Sequence, residues 1–216
     1  MLYDDLSEVG RGQSRALGEW FRDRGVRFDL VIAGGLKRQQ ITAQEIVEAI
    51  GTDAAISIDS RWSEFDLDGV YAGIGPLLAR DDEQFHAEYK ELQRDSADPD
   101  SAAHRNWRSC DVTVVKAWIE GRYAEFEGES FAAFGARVRE AFFALPRDLK
   151  VAVVTSATPI GICIGTVLEL APRNVMRLGA GFNSAFSEID LRHSEPRLVS
   201  FNNVPHLPDP RMRTLR

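Results

Sequence analysis

The 216-residue sequence predicts a single α/β domain of three layers, a mixed and mostly parallel sheet between helices, with a helical cap inserted near residues 67–128. Three observations carry that prediction. Two short apolar runs, Phe28–Ala33 and Leu149–Thr155, have the composition of parallel strands covered on both faces. Each passes through a tight turn into a helical pattern, the strand-then-helix unit from which parallel sheets are built. Between them lies a charged, helix-patterned stretch broken by the polar run Asp95–Ser101, a loop by composition.

Taken in order, the first helix has Ser7 as its N-cap, an apolar face of Val9, Gln13, Ala16, Leu17, Trp20 and Phe21, and Gly25 beyond its end. The strand Phe28–Ala33 stops at Gly34-Gly35. From Leu36 the spacing of Ala43, Ile46, Val47 and Ile50 is helical, with Gly51 as a C-terminal stop. Arg38 therefore sits in the first turn of a helix, at the carboxyl end of a strand, where open α/β sheets bind ligands. A guanidinium there opposes the helix dipole unless an anion joins it. The competing reading is a solvated first-turn arginine, and these residues alone leave both open.

Ala55–Ile58 reads as another short strand, and Asp59–Asp66 leaves it as a loop. Glu64, between Trp62 and Phe65, is the candidate general acid, because desolvation raises a carboxyl pKa toward the range in which it can protonate a leaving alkoxide. A surface glutamate beside two core aromatics is the plainer alternative. In the insert, Asp82–Arg94 and Trp107–Tyr123 are the expected helices, with Val114, Val115, Trp118 and Ile119 on the apolar side of the second. Phe131, Phe134, Val138, Ala141, Phe142 and Leu145 mark an amphipathic helix that returns the chain to the sheet.

After the strand Leu149–Thr155, the turn Ser156–Ile160 leads into an apolar helix over Gly161–Leu170, with Pro159 tolerated in its first turn. A strand–serine–helix junction invites a serine hydrolase reading. The nucleophile elbow needs small residues two before and two after the serine, and Val154 and Thr158 stand there. A dinucleotide site is excluded as well, since Gly34-Gly35 lacks the GxGxxG spacing. The tail holds a half-buried strand over Phe182–Leu191, a turn at His193–Pro196 and a strand at Arg197–Phe201. His206 follows in a loop too near the chain end to fix a catalytic side chain well.

Composition bounds the partners. A formal charge of −7 and a pI near 5.2, with no Lys/Arg-rich run, argue against a nucleic-acid surface. No apolar stretch approaches a membrane span and no signal peptide is recognisable, so a cytoplasmic protein is expected. Cys110 and Cys163 lie on different helices without CxxC spacing or clustered histidines, which points to core thiols and to neither a disulfide nor a zinc site.

Leu6–Ser14, Gly35–Ala43 and Arg61–Glu64 are similar, in order, to an "LTxxGxxQA" helix start, a "PLxRAxQTA" segment and an "RLxE" acid segment, and with them the chain resembles the histidine phosphatase superfamily, the phosphoglycerate mutase-like proteins. Asn183-Ser184 and Phe201–Leu207 are similar to later stretches of the same superfamily. The resemblance implies that Arg38 grips the transferred phosphoryl group, that Ser156 takes the place of a phosphate-contacting histidine and that Glu64 is catalytic; the Ala157 N–H is expected to join the phosphate pocket, and Asn183 could line it or could equally satisfy a backbone group at the strand start. It implies a small phosphorylated substrate or inorganic phosphate as partner and no cofactor, metal, nucleic acid or membrane; a homodimer is compatible with it. It also implies a cap that selects the substrate, so that His86, His104 and Arg105 could contact a ligand; solvated helix and loop positions are the plainer reading.

Two departures stand out. The family's first strand ends in Arg-His-Gly and supplies the phosphate-accepting histidine, whereas only Met1–Asp5 precede the first helix here and contain no histidine. Either the gene start is set too late or the chain lacks its nucleophile. Where the family carries "SHGG", this chain carries Thr155-Ser156-Ala157-Thr158, a neutral hydroxyl in place of the second histidine. The expected function is that of a phosphomonoesterase or phosphomutase lineage, inactive as the chain stands; the alternatives are a phospho-ligand-binding pseudoenzyme and an interaction protein acting through its cap.

Overall fold

The structure, a computed structural model, describes residues 4–96, 109–178 and 181–215. The chain divides into two compact units, one of Met1–Glu64 with Arg137–Arg216 and the other of Phe65–Ala136.

In the first unit α1 (Glu8–Asp23) begins where Ser7 Oγ accepts the Gly10 N–H at 3.1 Å, the N-cap expected from the sequence. It packs along α2 (Lys37–Ile50), and Leu17 of α1 joins Ile46 and Ile50 of α2 in one buried cluster. Gly51 ends α2 at φ +73°, a conformation glycine adopts without steric cost. Strand β1 (Leu30–Ala33) lies between β2 (Ile56–Ile58) and β3 (Val151–Val154), both parallel to it, with Val31 opposite Ile56 and Leu30 opposite Val151. Val31, Ala33, Ala43 and Val47 bury one face of β1 against α2. The parallel sheet flanked by helices is the α/β class read from the two apolar runs.

The remaining strands, β4 (Phe186–Asp190) and β5 (Arg197–Asn203), pair antiparallel with each other in a separate sheet. The strand order is thus β2-β1-β3 and β4-β5, and no strand among the described residues pairs with the outer edge of β3. The two sheets share a floor, because Val154 at the end of β3 and Phe186 at the start of β4 both pack on Leu17, Ile46 and Ile50. β4 starts later than the sequence pattern suggests, since Ser184 takes a left-handed φ of +58° that no strand continues through.

Helix α7 (Ala157–Val167) begins four residues before the expected Gly161, directly after an extended Ser156 at φ −116° and ψ 178°. Pro159 is accommodated in that first turn, where its missing N–H costs no helical bond. Cys163 on α7 is buried, and burial pushes its thiol up to about 12, so it is a core side chain and not a nucleophile.

The second unit holds α3 (Leu67–Asp81), α4 (Glu83–Ser96), α5 (Ser109–Ile119) and the beginning of α6 (Phe131–Phe143). The helix α3 has little sequence signal because Gly69, Gly73, Gly75 and Pro76 lie inside it; Asp66 starts it by accepting the Gly69 N–H at 3.0 Å. Phe65, Trp118, Phe131 and Phe134 form an aromatic cluster, with the Phe65 and Trp118 rings stacked at 4.4 Å and the indole N–H donating to Glu129 O at 2.8 Å. His86 Nδ1 lies 3.2 Å from Ala79 O, while His104, Arg105 and the Cys110 side chain fall outside the described residues. Among the described residues no helix is long and apolar enough to cross a membrane.

Candidate active site

The carboxyl ends of β1 and β3 and the loop after β2 meet in the first unit, and two helix N-termini open there. An α-helix leaves its first N–H groups without intrahelical partners. The N-cap of α2 is Leu36, whose side chain accepts nothing, so the cap comes from elsewhere in the chain. Asp4 provides it: the Lys37 N–H donates to Asp4 Oδ2 at 3.0 Å, the Arg38 N–H to Asp4 Oδ1 at 3.4 Å, and Arg38 Nη1 to the same oxygen at 3.3 Å. Arg38, with its side chain 20% exposed, thus shares a carboxylate with the positive end of its own helix. Lys37 Nζ bonds the next carboxylate, Asp5, at 2.9 Å, and that bond holds the Asp5 carboxyl below its usual range.

The N-terminus of α7 is served the same way. Ser156 is its N-cap residue, with its carbonyl accepting the Ile160 N–H at 3.2 Å, but its hydroxyl caps nothing, and the Thr158 N–H donates instead to Glu64 Oε2 at 3.2 Å. Glu64 is half-buried on the loop after β2 beside Trp62, which is 2% exposed. That loop is clamped from α6, where Arg137 Nη1 donates to both Arg61 O and Ser63 O at 2.9 Å. Asp59, which caps the short turn Ser60–Trp62, binds the Arg61 guanidinium, and that bond holds its carboxyl below the usual range. Arg61 also reaches Glu140 at 2.8 Å.

Gln39 joins the three segments. It is 2% exposed; its Oε1 accepts the Leu36 N–H at 3.2 Å, and its Nε2 donates to Ser156 Oγ at 2.9 Å and to Trp62 O at 3.3 Å. Gly34 makes the room, because a Cβ there would run into Gln39 Oε1 and lie 2.8 Å from Trp62 O. Thr155 Oγ1 donates to the same Trp62 carbonyl at 2.5 Å.

Arg38, Ser156, Ala157 and Glu64 are therefore linked at one end of the sheet, Arg38 and Ser156 through Gln39 and Ser156 and Glu64 through Thr158. Asn183 is bonded elsewhere: its amide donates to Thr214 Oγ1 at 2.8 Å and its N–H to Thr214 O at 2.9 Å. His206 is 8% exposed, with Nε2 2.8 Å from Ser184 Oγ and no partner for Nδ1 among the described residues, and burial pushes its pKa down to about 4. Sequence reasoning missed Asp4, Gln39 and Arg137. The signal for Gln39 was present: it stands at the alanine of the "PLxRAxQTA" pattern, in the same chain that departs from "SHGG" at Ser156.

Comparison with known proteins places this geometry in context. The sequence matches the histidine phosphatase superfamily (branch 1) over residues 4–120 and 112–204. It is 27% identical to a probable phosphoglycerate mutase GpmB of Enterobacter sp. over 98% of this chain and 87% of that protein. It is 34% identical to a 2,3-bisphosphoglycerate-dependent phosphoglycerate mutase of Mesorhizobium japonicum, a match spanning 38% of this chain and 41% of that relative. The phosphoserine phosphatase of Entamoeba histolytica, solved with phosphoserine, shares the fold with a TM-score of 0.62 at 18% identity over 94% of this chain and 86% of its own. The same phosphatase with 3-phosphoglyceric acid gives 0.61 at 19% identity, over 94% of this chain and 86% of its own. A mycobacterial glucosyl-3-phosphoglycerate phosphatase gives 0.58 at 22% identity, over 93% of this chain and 89% of its own.

Proposed function

The chain belongs to the histidine phosphatase superfamily (branch 1), and from that premise we propose that these 216 residues bind the phosphoryl group of a small phosphorylated molecule, or inorganic phosphate, without hydrolysing it. The observation that carries this reading is the seat of Asp4. Arg38 and the first two N–H groups of α2 already hold an oxyanion, the Asp4 carboxylate, in a position built for negative charge. In the proposed complex a phosphoryl group takes that seat, with Ser156 and the Ala157 N–H contributing from α7 and Glu64 beside them. Asn183 is left out, since its amide is bonded to Thr214. The Entamoeba phosphatase complexes with phosphoserine and 3-phosphoglyceric acid support a small phosphorylated ligand.

The absence of turnover follows from what the linked group offers. Covalent phosphoryl transfer needs an activated, in-line nucleophile. The residue between β3 and α7 at this site is Ser156, a neutral hydroxyl, and the described histidines are engaged elsewhere, His86 at Ala79, His193 beside Asp190 and His206 at Ser184. The purified chain should release phosphate from a panel of phosphomonoesters only at background rate. Binding should appear in thermal melts: at a hundredfold excess over its dissociation constant, phosphate stabilises by about 2.7 kcal/mol, which is about 5–10 °C for a chain of this length. No shift in the wild type, or an equal shift in Arg38→Ala, refutes the reading.

A further inference from the structure

We propose that Gln39 is a positioning residue that fixes Ser156 as a hydrogen-bond donor toward the ligand, so that the end of β3 accepts an anion oxygen carrying no proton, as in sulfate or dianionic phosphate. This rests on the phosphoryl-binding reading and adds to it the residue that sets the polarity of the site.

The orientation of the Gln39 amide follows from its surroundings. One side faces a backbone donor, the Leu36 N–H at 3.2 Å from Oε1, and the other faces a backbone acceptor, Trp62 O at 3.3 Å from Nε2. A flipped amide would set N–H against N–H and oxygen against oxygen in a side chain only 2% exposed. The second Nε2 hydrogen then points at Ser156 Oγ, 2.9 Å away. A serine hydroxyl has one proton and two acceptor positions, so Ser156 accepts from Gln39 and its own proton is directed elsewhere. Ser156 makes no capping bond to α7. Among the described residues no hydrogen bond takes that proton, and the side chain is half-buried at the N-terminus of α7. A ligand oxygen with a lone pair satisfies it; a ligand hydroxyl held in the same place would have to turn its own proton away.

The test uses sulfate as probe, an oxyanion with no proton at neutral pH, and isothermal titration of the full chain. Ser156→Ala is expected to weaken sulfate binding about tenfold, the worth of one hydrogen bond to a charged group. Gln39→Met, which keeps the length and removes both donors, is expected to weaken it severalfold in the wild-type background and not at all in Ser156→Ala, whereas loss of packing alone would cost the same in both. Equal losses in the two backgrounds, or unchanged affinity in Ser156→Ala, overturn the proposal; the second outcome remains decisive if the Gln39 variant fails to fold. Arg38→Ala separates the two readings. If it abolishes sulfate binding while the Ser156 and Gln39 variants bind normally, only the polarity proposal falls, and if the wild type binds no sulfate or phosphate, both fall.

Discussion

His206 should make the stability of this chain depend on pH in a window that no surface histidine would produce. Its imidazole is 8% exposed and hydrogen-bonded through Nε2 to Ser184 Oγ, and burial pushes its pKa from 6.5 down to about 4. The unfolded chain therefore binds a proton below pH 6.5 that the folded chain refuses until about pH 4, so stability falls as pH falls through that interval. Full protonation of the unfolded state alone corresponds to about 3 kcal/mol, and at pH 5 the loss relative to pH 7 is about 2 kcal/mol. The assay is urea denaturation at pH 7, 6 and 5 of the wild type and of His206→Gln, whose amide can keep a bond to Ser184 and does not titrate. Carboxylates that titrate in both proteins cancel in the difference. The wild type should lose about 2 kcal/mol more than the variant between pH 7 and pH 5. Parallel curves for the two proteins would show that the imidazole charges freely in the folded state and that its burial does not disfavour the charged form.

Two other outcomes are expected. Replacing Asp4 by Asn keeps an acceptor on the α2 N-terminus but removes the resident charge beside Arg38, so phosphate should bind up to about fivefold tighter, the worth of a partly exposed ion pair; unchanged or weaker binding would mean that phosphate does not take the Asp4 seat. A strand of five or six β-branched residues fused upstream of Asp4 should raise the melting temperature and solubility, because β3 offers four residues whose outer backbone groups pair with no strand among those described, at about 0.5–1.5 kcal/mol per net hydrogen bond. An unaltered melting temperature would show that the outer edge of β3 does not accept a strand.

The sequence by itself determined the elements whose causes are local. Ser7 as an N-cap, Gly51 as a left-handed stop, the apolar runs of β1 and β3 and the helical spacing of α2 each depend on a few neighbouring side chains, and each stands where the pattern put it. The helix α3 was obscured for the converse reason, since glycines and Pro76 lower helical propensity and only burial of Val70, Ile74 and Leu78 overrides it. The motif order identified the family and put Arg38, Glu64 and Ser156 near strand ends. What those residues touch was decided by tertiary structure alone. Gln39 and Ser156 are 117 residues apart, Glu64 and Thr158 are 94 apart, and Asp4 and Arg38 are 34 apart. Hydrogen-bond partners at such separations leave no periodicity in the chain. They arise because parallel strands bring their carboxyl ends together and leave the N–H groups of the following helices open, to be met by whichever acceptor the rest of the fold delivers.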